Sequence, residues 1–229
     1  MKAIIVYLLF NFIFQMHQTK ENMTFFRCGV DDHYKAPLSA NHIIKNEDDN
    51  RRLNDGEFKD FHIYLDLINI KNGIRQYHLE EYENLYINSL NKAVKTLESL
   101  LKVKKPKYSY IFTDDDIMEI SIDDWNKTMI GSNAMGDMTS LGIDLIIFGK
   151  FDDEMGDSTL ASAGPFYMDP DTARPLVGII YINTRVNYSK INSEEYFQSI
   201  IIHEFTHILG FLGGYFESYY HNIFTKIDV

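Results

Sequence analysis

The sequence predicts an α/β (α+β) fold, and three features predict it. Residues 61–70 alternate apolar and polar, residues 79–103 repeat at helical spacing, and residues 143–148 and 178–183 are nearly continuous apolar runs ahead of a last helix at about 193–209. In the first stretch Phe61, Ile63, Leu65 and Leu67 fall on one face, as in a half-buried strand, and Gly73 marks a break. In the second, Tyr82, Leu85, Tyr86, Leu90, Ala93, Val94, Leu97, Leu100 and Leu101 form one stripe, with Glu80, Glu81 and Glu83 in the opening turn. This predicts an amphipathic helix packed on a sheet. Pro106 ends that region, Tyr108-Ser-Tyr-Ile-Phe112 reads as a short strand, and the acidic residues 114–116 and 123–124 lack the ligand order of a calcium loop and read as a solvated turn.

Ile143-Asp-Leu-Ile-Ile-Phe148 has the composition of a strand covered on both faces. Thr159-Leu-Ala-Ser-Ala163, bounded by Gly156 and Gly164-Pro165, suits an edge strand beside a cleft, and Pro170 and Pro175 bracket a loop before the strand Gly178-Ile-Ile-Tyr-Ile-Asn183. No internal repeat or low-complexity segment interrupts this order.

With 229 residues, 45% of them hydrophobic, the chain can build one core but hardly two. A formal charge of −11 argues against nucleic acid or an anionic membrane surface as partner, since both select clustered Lys and Arg. The basic run Lys102, Lys104, Lys105 and Lys107 is read as the complement to the negative end of the preceding helix. Residues 1–14, a Met-Lys start followed by an apolar stretch, have the form of a secretory signal peptide, and sequons at Asn22, Asn126 and Asn187 are compatible with that route. The single cysteine, Cys28, cannot form a disulfide within the chain, and so is free, paired to another chain, or a ligand.

The chemistry is concentrated in His203-Glu-Phe-Thr-His207, preceded by Ile200-Ile-Ile202 and followed by Ile208-Leu-Gly-Phe211. Asn192 or Ser193 can cap the helix, and Glu194 and Glu195 favour its positive end. Four residues exceed one turn slightly, so His203 and His207 lie one above the other and can share a metal ion, with Glu204 beside them. Imidazole pairs are good zinc ligands; zinc lowers the pKa of a held water, and Glu204 can take its proton as general base. Gly210 permits a left-handed turn that redirects the chain toward the metal. The competing reading is a pair of ordinary helix histidines.

His203-Glu-x-x-His207-x-x-Gly210-Phe211 resembles the zinc helix of leishmanolysins, members of the metzincin clan of peptidases. The likeness extends through Gly142-Ile-Asp-Leu-Ile-Ile-Phe148, Thr159-Leu-Ala-Ser-Ala-Gly-Pro165 and Arg174-Pro-Leu-Val-Gly-Ile-Ile-Tyr-Ile-Asn183. It implies a metzincin-like N-terminal subdomain: a twisted, mostly parallel mixed sheet with a backing helix and a zinc-binding active-site helix. It further implies a secreted or cell-surface zinc endopeptidase acting on polypeptides, with Zn2+ held by His203 and His207 and Glu204 catalytic. The organisation expected is a signal peptide over 1–20, a pro-segment or irregular arm over 21–58 and a catalytic subdomain over 59–229.

By the same likeness, Phe-Arg-Cys28-Gly-Val-Asp-Asp-His33 is similar to a pro-region segment whose thiolate occupies the open zinc position; Val30 stands where the family has His. The third zinc ligand departs from the wider clan as well, because Gly213 occupies the position where most metzincins have a His. In leishmanolysins that His follows a long insertion, so the resemblance implies a chain that stops before its third ligand and Met-containing turn, with any membrane or surface attachment beyond residue 229. Glu217 and His221 are the candidates within the chain, and neither matches the family spacing. The alternative function is an inactive secreted or surface binding protein on the same scaffold.

Overall fold

A computed structural model describes residues 58–104, 141–169, 174–186 and 193–211, with short pieces at 38–39, 111–112, 136–138, 188 and 191. Cys28, the three sequons, the acidic stretch 114–124, Glu217 and His221 lie outside the described residues.

The chain is mixed α/β. Its strands are β1 (Leu38–Ser39), β2 (Phe58–Asp60), β3 (Ile63–Asp66), β4 (Lys102–Lys104), β5 (Ile111–Phe112), β6 (Gly136–Asp137), β7 (Leu145–Asp152), β8 (Ala161–Met168) and β9 (Pro175–Asn183). Its helices are α1 (Ile68–Gln76), α2 (Glu83–Leu100) and α3 (Glu194–Ile208), with a 3-10 turn at Glu80–Tyr82. The main sheet has the order β1-β8-β9-β7-β3, in which β3, β7 and β9 run parallel and β8 pairs antiparallel with β9. Two small antiparallel ribbons, β2-β4 and β5-β6, complete the strand pairing among the described residues.

Side chains of a strand alternate between faces, and the core follows that rule. Leu145, Ile147 and Phe151 of β7 and Ile180 and Ile182 of β9 join the cluster that holds the three described helices, whereas Ile146, Phe148, Val177 and Ile179 join a second cluster with Met138, Tyr167 and Leu176. Both faces are therefore covered, which is why these strands read as unbroken apolar runs. On α3 the residues that enter the core are Phe197, Ile201, Phe205 and Ile208, a single stripe at helical spacing. Tyr86 of α2 joins the layers: its ring lies edge-on to Phe151 at 5.2 Å, to Tyr188 at 5.1 Å and to Phe197 at 5.8 Å. Burial, more than its neighbouring tyrosines, raises its phenol pKa well above the ordinary value.

Three expectations require correction. The alternating stretch 61–70 is not one strand: it supplies only β3, after which the chain enters α1, and Gly73 lies inside that helix. A Cβ at Gly73 would overlap the Phe151 ring, so this glycine marks a close helix-to-sheet approach and not a break. The helix expected over 79–103 is divided into the 3-10 turn and α2, and Lys102 and Lys104 belong to β4, where Lys102 pairs with Asp60. Those lysines therefore act in strand pairing and do not extend the helix. The strand expected at 159–163 starts at Ala161 and continues through Gly164 and Pro165 to Met168. Pro165 is tolerated because β1 pairs only with Tyr167 and Met168, so among the described residues that part of β8 is a sheet edge.

Gly178 determines how closely α3 approaches the sheet, because a Cβ there would overlap the Ile208 side chain. Gly178→Ala is expected to cost about 1–3 kcal/mol by overpacking, read as a lowered urea midpoint. Adding Ile208→Val should recover part of the loss, since it shortens the side chain that meets the new methyl.

Candidate metal centre

Helix α3 begins where the sequence places it. Ser193 is extended, and its hydroxyl accepts from the Tyr196 N–H at 3.1 Å. Glu194 and Glu195 occupy the first turn; backbone and Ser193 hydrogen bonds hold the exposed Glu195 carboxyl below its ordinary pKa. Glu194 also pairs with Lys92, linking α3 to α2.

The helix ends in a glycine-dependent turn. The Phe211 N–H donates to the Thr206 carbonyl at 3.0 Å, the Gly210 N–H donates to the His207 carbonyl at 3.0 Å, and Gly210 has φ +92. This pair of bonds around a left-handed glycine is a Schellman motif, which satisfies carbonyls that the last helical turn would leave open. It also returns the Phe211 carbonyl to within 2.9 Å of His207 Nδ1.

A carbonyl oxygen can only accept, so His207 Nδ1 carries the proton and Nε2 keeps its lone pair. That Nε2 lies 3.1 Å from Nε2 of His203. In a tetrahedral zinc site each nitrogen stands about 2.0–2.1 Å from the ion, which separates two such nitrogens by roughly 3.3 Å. The two rings thus present neighbouring Nε2 atoms at the separation a shared cation requires, and the donor set fits a metal ion. His203, Glu204 and His207 each offer a ligand atom, all within 4.8 Å of one another. The histidines are half-buried and Glu204 is 1% exposed.

All three residues expected at the site are therefore together. The orienting carbonyl of Phe211 was not anticipated; Gly210 was its only sequence signal, because a backbone acceptor has no side-chain signature. Among the described residues this is the only group of three or more His, Cys, Asp or Glu that could hold a metal ion, and no other such residue joins it.

Gly210→Ala should weaken binding of a metal ion, with zinc as the probe, about 10-fold or more, the usual consequence of losing a group that orients a metal-binding histidine. Competition with a chromogenic chelator would measure this. Unchanged affinity would show that the Phe211 carbonyl does not orient His207.

Fold and site together define a mixed α/β protein with a His-Glu-His group on a core helix, able to hold a metal ion. No family model matches the chain, and no curated protein matches it.

Proposed function

We propose that the chain carries the zinc helix of a zinc-dependent endopeptidase of the leishmanolysin type, within the metzincin clan. The observation that carries this reading is the pair of Nε2 atoms 3.1 Å apart, one of them oriented through its own Nδ1 by a backbone carbonyl. The likeness of the motif and of the upstream strands supports it, as does a mostly parallel sheet against which the motif-bearing helix packs.

Zinc, when bound, would supply Lewis-acid polarisation of a water and of a peptide carbonyl. His203 and His207 would hold it through Nε2. Glu204, next to His203 on the helix, takes a proton from the attacking water and returns it to the departing amine. The apolar burial of Phe205 and Ile208 against the sheet keeps α3 fixed, so that the three side chains keep their mutual positions. The substrates are polypeptides, consistent with an acidic chain that is unsuited to nucleic acid. The signal-like segment at residues 1–14 supports a location in the secretory route, at the cell surface or outside the cell.

One observation favours a second reading, a secreted or surface binding protein that does not catalyse. Besides His203, Glu204 and His207, no described residue joins the group, and zinc sites generally use at least three protein ligands in addition to a base. Catalysis therefore calls for a third ligand from residues outside the described ones, with Glu217 and His221 as candidates. Zinc stoichiometry and casein hydrolysis on the purified protein, with His207→Ala as control, separate the two. One tightly bound zinc and hydrolysis, both lost in His207→Ala, support the peptidase. Weak zinc binding without hydrolysis overturns it in favour of the binding protein.

A further inference from the structure

A second candidate site lies away from the histidines, at the carboxyl end of β7. There β3 has already ended: Asp66 pairs with Phe148, and beyond that point no described strand continues on that side of β7. The space opens into a cleft of about 660 Å³, within the range of small-ligand sites. Asn69, Asn72 and Gln76 of α1, at helical spacing along a single stripe, line it together with Lys150, Asp152 and Tyr181 at the edge of the sheet.

We propose that this cleft binds an uncharged, polyhydroxylated ligand of the size of a mono- or disaccharide. A sugar hydroxyl both donates and accepts hydrogen bonds, and so do the exposed side-chain amides of Asn72 and Gln76 on α1. At the sheet edge, Lys150 supplies donors, Asp152 acceptors and Tyr181 a hydroxyl. Tyr77, which packs edge-on to Phe151 at 6.0 Å, adds ring surface for the apolar face of a sugar. The charge balance disfavours phosphorylated ligands, because Asp152, Asp153 and Glu154 outnumber the single Lys150 on the lining. A bare cation would use the acceptors but leave the amide and lysine donors facing it unfavourably.

Helix α1 itself supports the assignment. It has nine residues, and Asn69, Asn72 and Gly73 are all poorer helix formers than Ala. Gly73 is explained by Phe151, which lies where a Cβ would be. Helical stability gives no reason for the exposed Asn72, and departures of this kind from local preference mark functional surfaces. The assignment does not depend on the metal centre.

The test is a microarray of neutral glycans probed with the whole protein, followed by calorimetric titration of the best disaccharide, with a lysine-rich decapeptide as comparison. The variant is Asn72→Ala combined with Gln76→Ala; both residues are exposed and Ala is a better helix former, so the fold is retained. Circular dichroism and zinc content serve as controls. A neutral glycan should bind, and the variant should weaken it about 10-fold or more through the lost amide hydrogen bonds, with both controls unchanged. Absence of glycan binding, affinity unaltered in the variant, or binding of the basic peptide alone would each overturn the proposal.

Discussion

Glu204→Gln is expected to retain bound zinc and to lower peptide hydrolysis by about 10²–10⁴-fold, the range associated with loss of a general acid-base group. Gln preserves the volume and shape of a side chain that is 1% exposed, so the packing of α3 on the sheet should change little. It cannot accept a proton from water. On the proposed peptidase reading the loss should fall on kcat with KM nearly unchanged, because Glu204 would act on the water and not on the peptide that binds. Hydrolysis retained in Glu204→Gln would place the base elsewhere. Loss of zinc together with activity would make Glu204 a ligand, since its carboxylate lies in the same group as the two imidazole nitrogens.

Asp144→Ala should produce the largest change in stability, about 3–5 kcal/mol, as expected when one member of a buried ionic cluster is removed. The Asp144 side chain has no exposed surface; it accepts from the Lys59 ammonium at 2.9 Å, from Arg174 at 2.6 Å and from the His62 N–H at 3.1 Å. Arg174 also donates to the Lys104 carbonyl at 3.1 Å, so the cluster ties the β2-β4 ribbon to the starts of β7 and β9. Removing the carboxylate leaves two cations side by side with no anion between them. Urea denaturation would measure the effect as a shift in midpoint at constant slope. A loss below about 1 kcal/mol would mean that solvent screens these bridges as it screens surface pairs.

The two ends of the chain's helical logic were legible to different degrees. Ser193 as cap, Glu194 and Glu195 in the first turn, His203 and His207 on one face and Gly210 in a left-handed turn were all expected, and the structure contains each. These signals are local: each depends on residues one to five positions apart. The strand expected over residues 61–70 gives way to a helix partway, because Ile63 and Leu65 fit a two-residue period and Ile70 and Ile74 a helical one. A short apolar run cannot reveal where one gives way to the other. Similarly, Val103 between two lysines is an alternating triplet too short to be distinguished from a helix end until Phe58–Asp60 pairs with it.

By itself, the sequence determined the mixed α/β class, the covered strands at β7 and β9 and the identity of three side chains that could hold a metal ion, because periodicity, capping and motif spacing act over a few residues. Only the tertiary structure decided that Gly73 and Gly178 are contact points for Phe151 and Ile208. It alone brought Lys59 and Arg174 to Asp144 across 85 and 30 positions of chain (144 minus 59, and 174 minus 144). It alone aimed the Phe211 carbonyl at His207 and opened the cleft beside β7. The physical reason is that these features depend on how closely packed surfaces approach, and on where backbone groups point, and neither is written in the side-chain pattern of any one segment.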